Sequence, residues 1–332
     1  MSASMNEQPR DIRDVFTGTA LGTLVGDAFG AYVEGWDPER IRGEYGLLSA
    51  PIGGVYTDDT QMMIGLMEAL AECAETGNDF SAAALQESAA RKFLSNFDPS
   101  RGYGPRIGGV MRRIESGFPV NMVGTDSWGN GAAMRIAPIG MFFYDDDERL
   151  IDMAVHTAEI THTHPAGVAG AVAQAMAVGR AVRHAVSGDA LSLESLVDDA
   201  ARAAGEFDEG AIREISRIRD LAADDLDGAI CEIVSTFSRD VSALGAVPAA
   251  LAAFVLVHRL VGGEGGFPDV VMAAVNSGGD TDTIGAMAGA VAGACWGRAS
   301  IPKQWLAVME NGEKGRDYIN ALALRLAELK HA

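Results

Sequence analysis

The chain is short of cysteine, of aromatic side chains and of positive charge, and each shortage removes a class of protein. Its three cysteines (Cys73, Cys231 and Cys295) are far apart, odd in number and without a CxxC pair, so no disulfide framework is implied. Lys and Arg number 26 against 46 Asp and Glu, a net charge of −20. That field repels polyanions, so no nucleic-acid partner and no membrane association is expected. A phosphate-bearing ligand must then be held locally, by backbone amides, a metal ion or a few arginines. The polar stretch Met1–Arg10 lacks the apolar segment of a signal peptide, and the longest apolar runs, Gly245–Val257 and Ile284–Trp296, fall short of the roughly 18 residues that span a bilayer. The expectation is a soluble, cytoplasmic protein. Aromatic residues make up only 7%, against 40 glycines among 332 residues, which points to a core built by close backbone approach. At 48% hydrophobic and 22% charged, the chain can still bury a large core.

Strand-like alternation is scarce and a helical apolar period runs almost throughout. Met62, Met63, Leu66, Met67 and Leu70 follow the i, i+3, i+4 rule, as do Val168, Val172 and Met176, and Ala249, Ala253, Leu256 and Leu260. The spacing predicts an all-α fold of about a dozen helices with short connections, in a single large globular domain. Residues 1–12 are expected to be a flexible N-terminus and 13–330 the domain, with no Pro- or Ser-rich linker dividing it. The more charged residues 185–240 read as a peripheral helical hairpin, and Gly262–Gly266 as a flexible turn. Two glycine stripes stand out: Gly18, Gly22, Gly26 and Gly30, and Gly285, Gly289, Gly293 and Gly297. A glycine inside a helix costs about 1 kcal/mol against alanine, so eight of them call for a packing reason. Glycines four apart share one side of a helix, and two such stripes predict two tightly crossed helices.

Two acidic clusters carry the chemistry: Thr57-Asp58-Asp59-Thr60 and Gly279-Asp280-Thr281-Asp282-Thr283. Either alone reads equally as a helix cap, because Thr and Asp are favoured there and acids suit the first turn. A cap needs one side chain, however, and each cluster supplies four consecutive oxygen-bearing ones. If the fold unites them, four carboxylates repel one another unless cations neutralise them. Asp58, Asp59, Asp280 and Asp282, with the Thr57 and Thr283 hydroxyls, are all hard oxygen donors. Such a set selects Mg²⁺ or Mn²⁺ over Zn²⁺ and is large enough for two ions about 3.5–4 Å apart, able to hold vicinal sugar hydroxyls.

With these clusters go Gly26-Asp27-Ala28-Phe29-Gly30 followed by Glu34, then Trp128-Gly129-Asn130-Gly131-Ala132-Ala133-Met134-Arg135, and Thr161-His162. In these blocks and in their order, from about Phe16 to Trp296, the chain resembles the ADP-ribosylglycohydrolase family. The resemblance implies an all-α fold with a dinuclear Mg²⁺ or Mn²⁺ cleft and hydrolysis of the glycosidic bond between ADP-ribose and its acceptor. It maps the metal ligands onto Thr57, Asp58, Asp59, Asp280, Asp282 and Thr283, and a loop acid with an acid/base role onto Glu34. It maps substrate contacts onto Ser127, Trp128, Gly129, Asn130 and His162, the loop before a helix near Ala132 binding diphosphate and Trp128 bordering the adenine. Asp27 reads as a brace or cap for helix packing, and His162 is favoured over His164 as the residue facing the ribose.

One block departs from the resemblance. Arginine-releasing members carry an acid in a Gly-Pro-x-Asp-x-Gly stretch, whereas the nearest match here, Gly104-Pro105-Arg106-Ile107-Gly108, has Arg106. That weighs against arginine-linked ADP-ribose as substrate. The expected activity is metal-dependent release of ADP-ribose from a protein or small-molecule conjugate. The rivals are a nucleoside or small ribosyl-compound hydrolase using the same metals, and a non-catalytic protein on the same scaffold.

Overall fold

A computed structural model describes residues 8–77, 80–262 and 265–331, and among them every regular element is a helix. In chain order these are α1 (Ile12–Gly30), α2 (Pro38–Tyr45), α3 (Asp58–Ala74), α4 (Ala82–Asn96), α5 (Ile107–Glu115), α6 (Ala137–Phe142), α7 (Asp147–Glu159) and α8 (Pro165–Ser187). Then follow α9 (Leu193–Gly205), α10 (Glu209–Ser216), α11 (Leu226–Thr236), α12 (Ala243–Val261), α13 (Phe267–Asn276), α14 (Thr281–Trp296), α15 (Lys303–Val308) and α16 (Arg316–Lys330). Sixteen exceeds the dozen read from periodicity because short helices such as α6 and α15 hold too few turns to show a period. Local chemistry sets the starts. The Asp37 side chain accepts from Arg40 N with Pro38 in the first turn, and Ser81 and Ser242 cap α4 and α12 in the same way. Residues 1–7 lie outside the described residues, and α1 starts at Ile12 under an Asp11 cap. Of the turn at Gly262–Gly266, residues 263 and 264 likewise lie outside them.

The centre is the crossing of α1 with α14. A Cβ placed on Gly18, Gly22 or Gly26 would lie 2.3, 2.2 or 1.9 Å from the backbone oxygen of Gly293, Gly289 or Gly285. As the residue number rises by four along α1 it falls by four along α14, so the pair is antiparallel and in register. Any side chain larger than hydrogen would push the backbones apart. Gly297 differs from the rest of its stripe: it ends α14 at φ 72°, a left-handed conformation that favours glycine.

Every residue of α14 is buried, with α1, α8, α12 and α13 packed around it. α12, at 19 residues, is long and apolar enough by length and composition to cross a membrane, which corrects the run-length reading of Gly245–Val257. It is clad instead by α8, α10, α11, α13 and α14. The region 185–240 holds α9, α10 and α11 where a single hairpin was expected; α9 and α10 pack together, and α9 lies on α8.

Candidate active site

The antiparallel crossing brings the start of α14 beside the end of α1, and Asp27 of α1 fixes the start of α3 next to it. Asp27 is fully buried and accepts hydrogen bonds from Thr57 N at 3.0 Å, Thr60 N at 3.0 Å and the Thr60 hydroxyl. These amides are among the donors that a helix start leaves without intrahelical partners, so a carboxylate from another helix performs the cap. The expected bracing role of Asp27 therefore takes a specific form: it sets the orientation of the Thr57–Asp59 segment.

Thr57 caps its own helix, its hydroxyl accepting from Asp59 N. Asp280 stands at the equivalent place on α14 without capping it, and its carboxylate instead accepts from Asn130 Nδ2 at 2.6 Å. Asp59 Oδ2 accepts from the hydroxyls of Thr57 (3.3 Å) and Thr283 (3.4 Å), which ties the two clusters together. Asp59 Oδ1 is buried with no hydrogen-bond partner among the described residues. Carboxyl oxygens of Glu34, Asp280 and Asp282 also lie within 4.8 Å of one another. Burial first, then the neighbouring acids, pushes Asp58 up to about 7 and Asp59 and Asp282 well above the usual carboxylate range. Glu34 is raised too, by partial burial and by Asp280. So many acids held close, one with an orphaned buried oxygen, make a donor set that suits hard divalent cations.

These groups line a cleft of about 360 Å³. Glu34, Asp58, Asp59, Asp280, Asp282 and Thr283 line it together with Ser127, Trp128, Gly129, Asn130 and His162; Thr57 alone of the expected site residues does not. Trp128 is half exposed, at 49%. The loop before it differs from expectation. No α-helix starts at Ala132, only the single 3₁₀ turn Asn130–Ala132, and the next α-helix begins at Ala137; Asn130 N donates to Val241 O and the Asn130 side chain to Asp280. Gly129 N donates to the Ser127 hydroxyl at 3.3 Å, so neither amide is free for a phosphate. His164 caps α8 through Ala166 N, while His162 faces the cleft.

A profile of the ADP-ribosylglycohydrolase family matches residues 8–332. An uncharacterised protein of Archaeoglobus fulgidus is 31% identical, with 96% of this chain and 97% of that protein covered. ADP-ribosylhydrolase ARH3 of Gallus gallus is 28% identical over 92% of each chain, and the ADP-ribosyl-[dinitrogen reductase] glycohydrolase of Rhodospirillum rubrum is 29% identical over 90% and 91%. A solved structure titled ADP-ribosylglycohydrolase-related protein complex superposes with a TM-score of 0.70 at 26% identity, covering 96% of this chain and 99% of that one. The chain belongs to the ADP-ribosylglycohydrolase family.

As an ADP-ribosylglycohydrolase it is a hydrolase, and its cleft contains residues to which sequence reasoning gave no part. Met62 and Val110 supply apolar lining from α3 and α5, and Val241 lines the cleft as well. Nothing in the sequence marks Val241, which lies more than a hundred residues from Trp128 and meets its loop by accepting from Asn130 N. Arg106 lines the cleft, its guanidinium donating to Asp126 O at 3.0 Å. Arg135 was legible as part of a family block but not as a buried cation at the lining of the cleft.

Proposed function

We propose that the protein hydrolyses the glycosidic bond of an ADP-ribosyl conjugate, releasing ADP-ribose, with two divalent cations, Mg²⁺ or Mn²⁺, as cofactors. Thr57, Asp58, Asp59, Asp280, Asp282 and Thr283 would hold the cations, and the observation that carries this reading is that the four aspartates line one cleft, Asp59 with a buried Oδ1 that has no hydrogen-bond partner among the described residues. Bound there, the cations supply charge neutralisation and Lewis-acid polarisation of ribose oxygens. Glycoside hydrolysis passes through an oxocarbenium-like transition state and requires a group that moves protons between the attacking water and the leaving atom. We assign that work to Glu34, whose carboxyl lies with those of Asp280 and Asp282 and would take a proton from water at one oxygen and return one to the departing acceptor. Asn130 holds Asp280 in the orientation the site needs. The exposed Trp128 ring offers an apolar face for a nucleobase, with Ser127, Gly129 and His162 lining the path towards the acids.

Arg106 lines the same cleft, and we infer the class of acceptor from its charge. A guanidinium there disfavours a positively charged leaving group, so serine-linked or O-acetylated ADP-ribose suits the site better than arginine-linked ADP-ribose. The test is incubation with Mg²⁺ or Mn²⁺ and each of these three conjugates, with simple nucleosides alongside. ADP-ribose release from the serine or O-acetyl conjugate, abolished by EDTA, is expected. Cleavage of nucleosides with no action on any conjugate would overturn the reading in favour of a nucleoside hydrolase.

A further inference from the structure

Arg135 is a wholly buried cation at the lining of the cleft, with no carboxylate partner among the described residues. Its hydrogen bonds go to neutral acceptors: Nη1 to Gly131 O at 3.0 Å and to Met62 Sδ at 3.6 Å, and Nη2 to Thr157 O at 3.0 Å and to the Thr161 hydroxyl at 2.8 Å. A guanidinium has only donors, so the Thr161 oxygen must accept from it. The Thr161 proton is then free to point elsewhere, and His162 Nδ1 lies 2.7 Å from that oxygen, against 3.5 Å for the alternative acceptor, Ala158 O. A donor at Thr161 makes Nδ1 an acceptor, which leaves the ring proton on Nε2. Among the described residues no protein group takes Nε2. It borders Gly129 and Gly131, where a Cβ would come within 3.6 and 3.2 Å of it, so the ring sits in a slot cleared by two glycines.

We propose that Arg135 and Thr161 are positioning residues that set His162 as an Nε2–H donor aimed into the cleft, where it donates to an oxygen of the ribosyl ligand and does not act as a base. The identity of that ligand rests on the function proposed above; the tautomer does not. Burial, with Arg135 and then Arg106 nearby, lowers the imidazole to about 3, so the ring is neutral at working pH and its single proton must take one nitrogen or the other.

The test is imidazole ¹⁵N spectroscopy on histidine-labelled full-length protein with Mg²⁺ and no ligand, comparing wild type, Thr161→Ser and Thr161→Val. His162 is expected as the Nε2–H form with a hydrogen-bonded Nδ1 in wild type and in the serine variant. In the valine variant the Nδ1 resonance should move and the Nδ1–H form be admixed. Calorimetry with ADP-ribose should show the valine variant weakened by about three- to tenfold, the worth of one neutral hydrogen bond, and the serine variant restored. Arg135→Lys, which keeps one donor, should fall between; should it fail to fold, the Thr161 pair decides. An Nδ1–H ring in wild type, or identical spectra for the serine and valine variants, would overturn the proposal. A wild type with the expected tautomer but no affinity for ADP-ribose would strike the proposed substrate and leave the positioning role standing.

Discussion

Glu34 follows the short turn Ala31–Val33 at the end of α1, and so is carried to the acids by the same helix whose Asp27 fixes α3. Its chemistry is separable from binding. Glu34→Gln keeps the shape but cannot exchange a proton near neutral pH. It is expected to lower kcat by about 10²–10⁴, the usual contribution of a positioned acid or base, with ADP-ribose affinity changed little. Single-turnover cleavage and calorimetry together check this; a variant that loses a cation along with its turnover would make Glu34 a ligand instead. At this scale the acids that line the candidate cleft were legible, because four clustered acids have few uses. What was not legible is how each polar group is employed. Asn130 reads as part of a phosphate loop, yet its amide serves Val241 and its side chain serves Asp280. Side-chain partners that far away in the chain leave no local trace in composition or spacing.

The glycine stripes act at the scale of elements, and here the sequence was most informative. A four-residue repeat has one geometric meaning on a helix, so both the crossing and its two partners could be read before the structure. The antiparallel register could not, since both directions satisfy the repeat; it is the observed facing of Gly22 with Gly289 and Gly26 with Gly285 that supplies it. The expected consequence is a difference in sign between two similar substitutions. Gly289→Ala puts a Cβ 2.3 Å from Gly22 O and should destabilise the protein by about 1–3 kcal/mol or more, as overpacking does. Gly43→Ala, inside α2 with nothing within 4 Å of its Cβ, should stabilise by up to about 1 kcal/mol. Urea unfolding of both variants checks this, and equal effects would remove the close crossing from the account. The loop at 127–133 and the helix α12 show the opposite case. A 3₁₀ turn and a buried apolar helix differ from an α-helix start and a broken apolar run only in what surrounds them.

At the scale of the whole molecule, the crossing gathers acids that a chain of net charge −20 would otherwise keep apart. The folded protein therefore carries a pH-dependent cost. Asp27 at about 6 and Asp58 at about 7 lie above the 3.8 of an unperturbed aspartate, so in this window the folded state holds protons that the unfolded chain has released. Their contribution to stability is present at low pH and is lost as pH rises from about 4 through about 7. In metal-free protein, Asp58→Asn removes one such charge. The variant's melting temperature relative to wild type should rise between pH 5 and pH 8; a flat difference would show that Asp58 ionises without opposition. Divalent cations should cancel the effect in wild type, since ions that bind only the folded state stabilise it by about 2.7 kcal/mol at a hundred times their Kd. The central claim is that the two helix starts form one cation site, and it is met most directly by calorimetric titration of metal-free protein with Mn²⁺. Two ions per chain are expected for wild type, with binding lost or cut by half in Asp59→Asn. No binding to wild type, or identical isotherms for the two proteins, would contradict it.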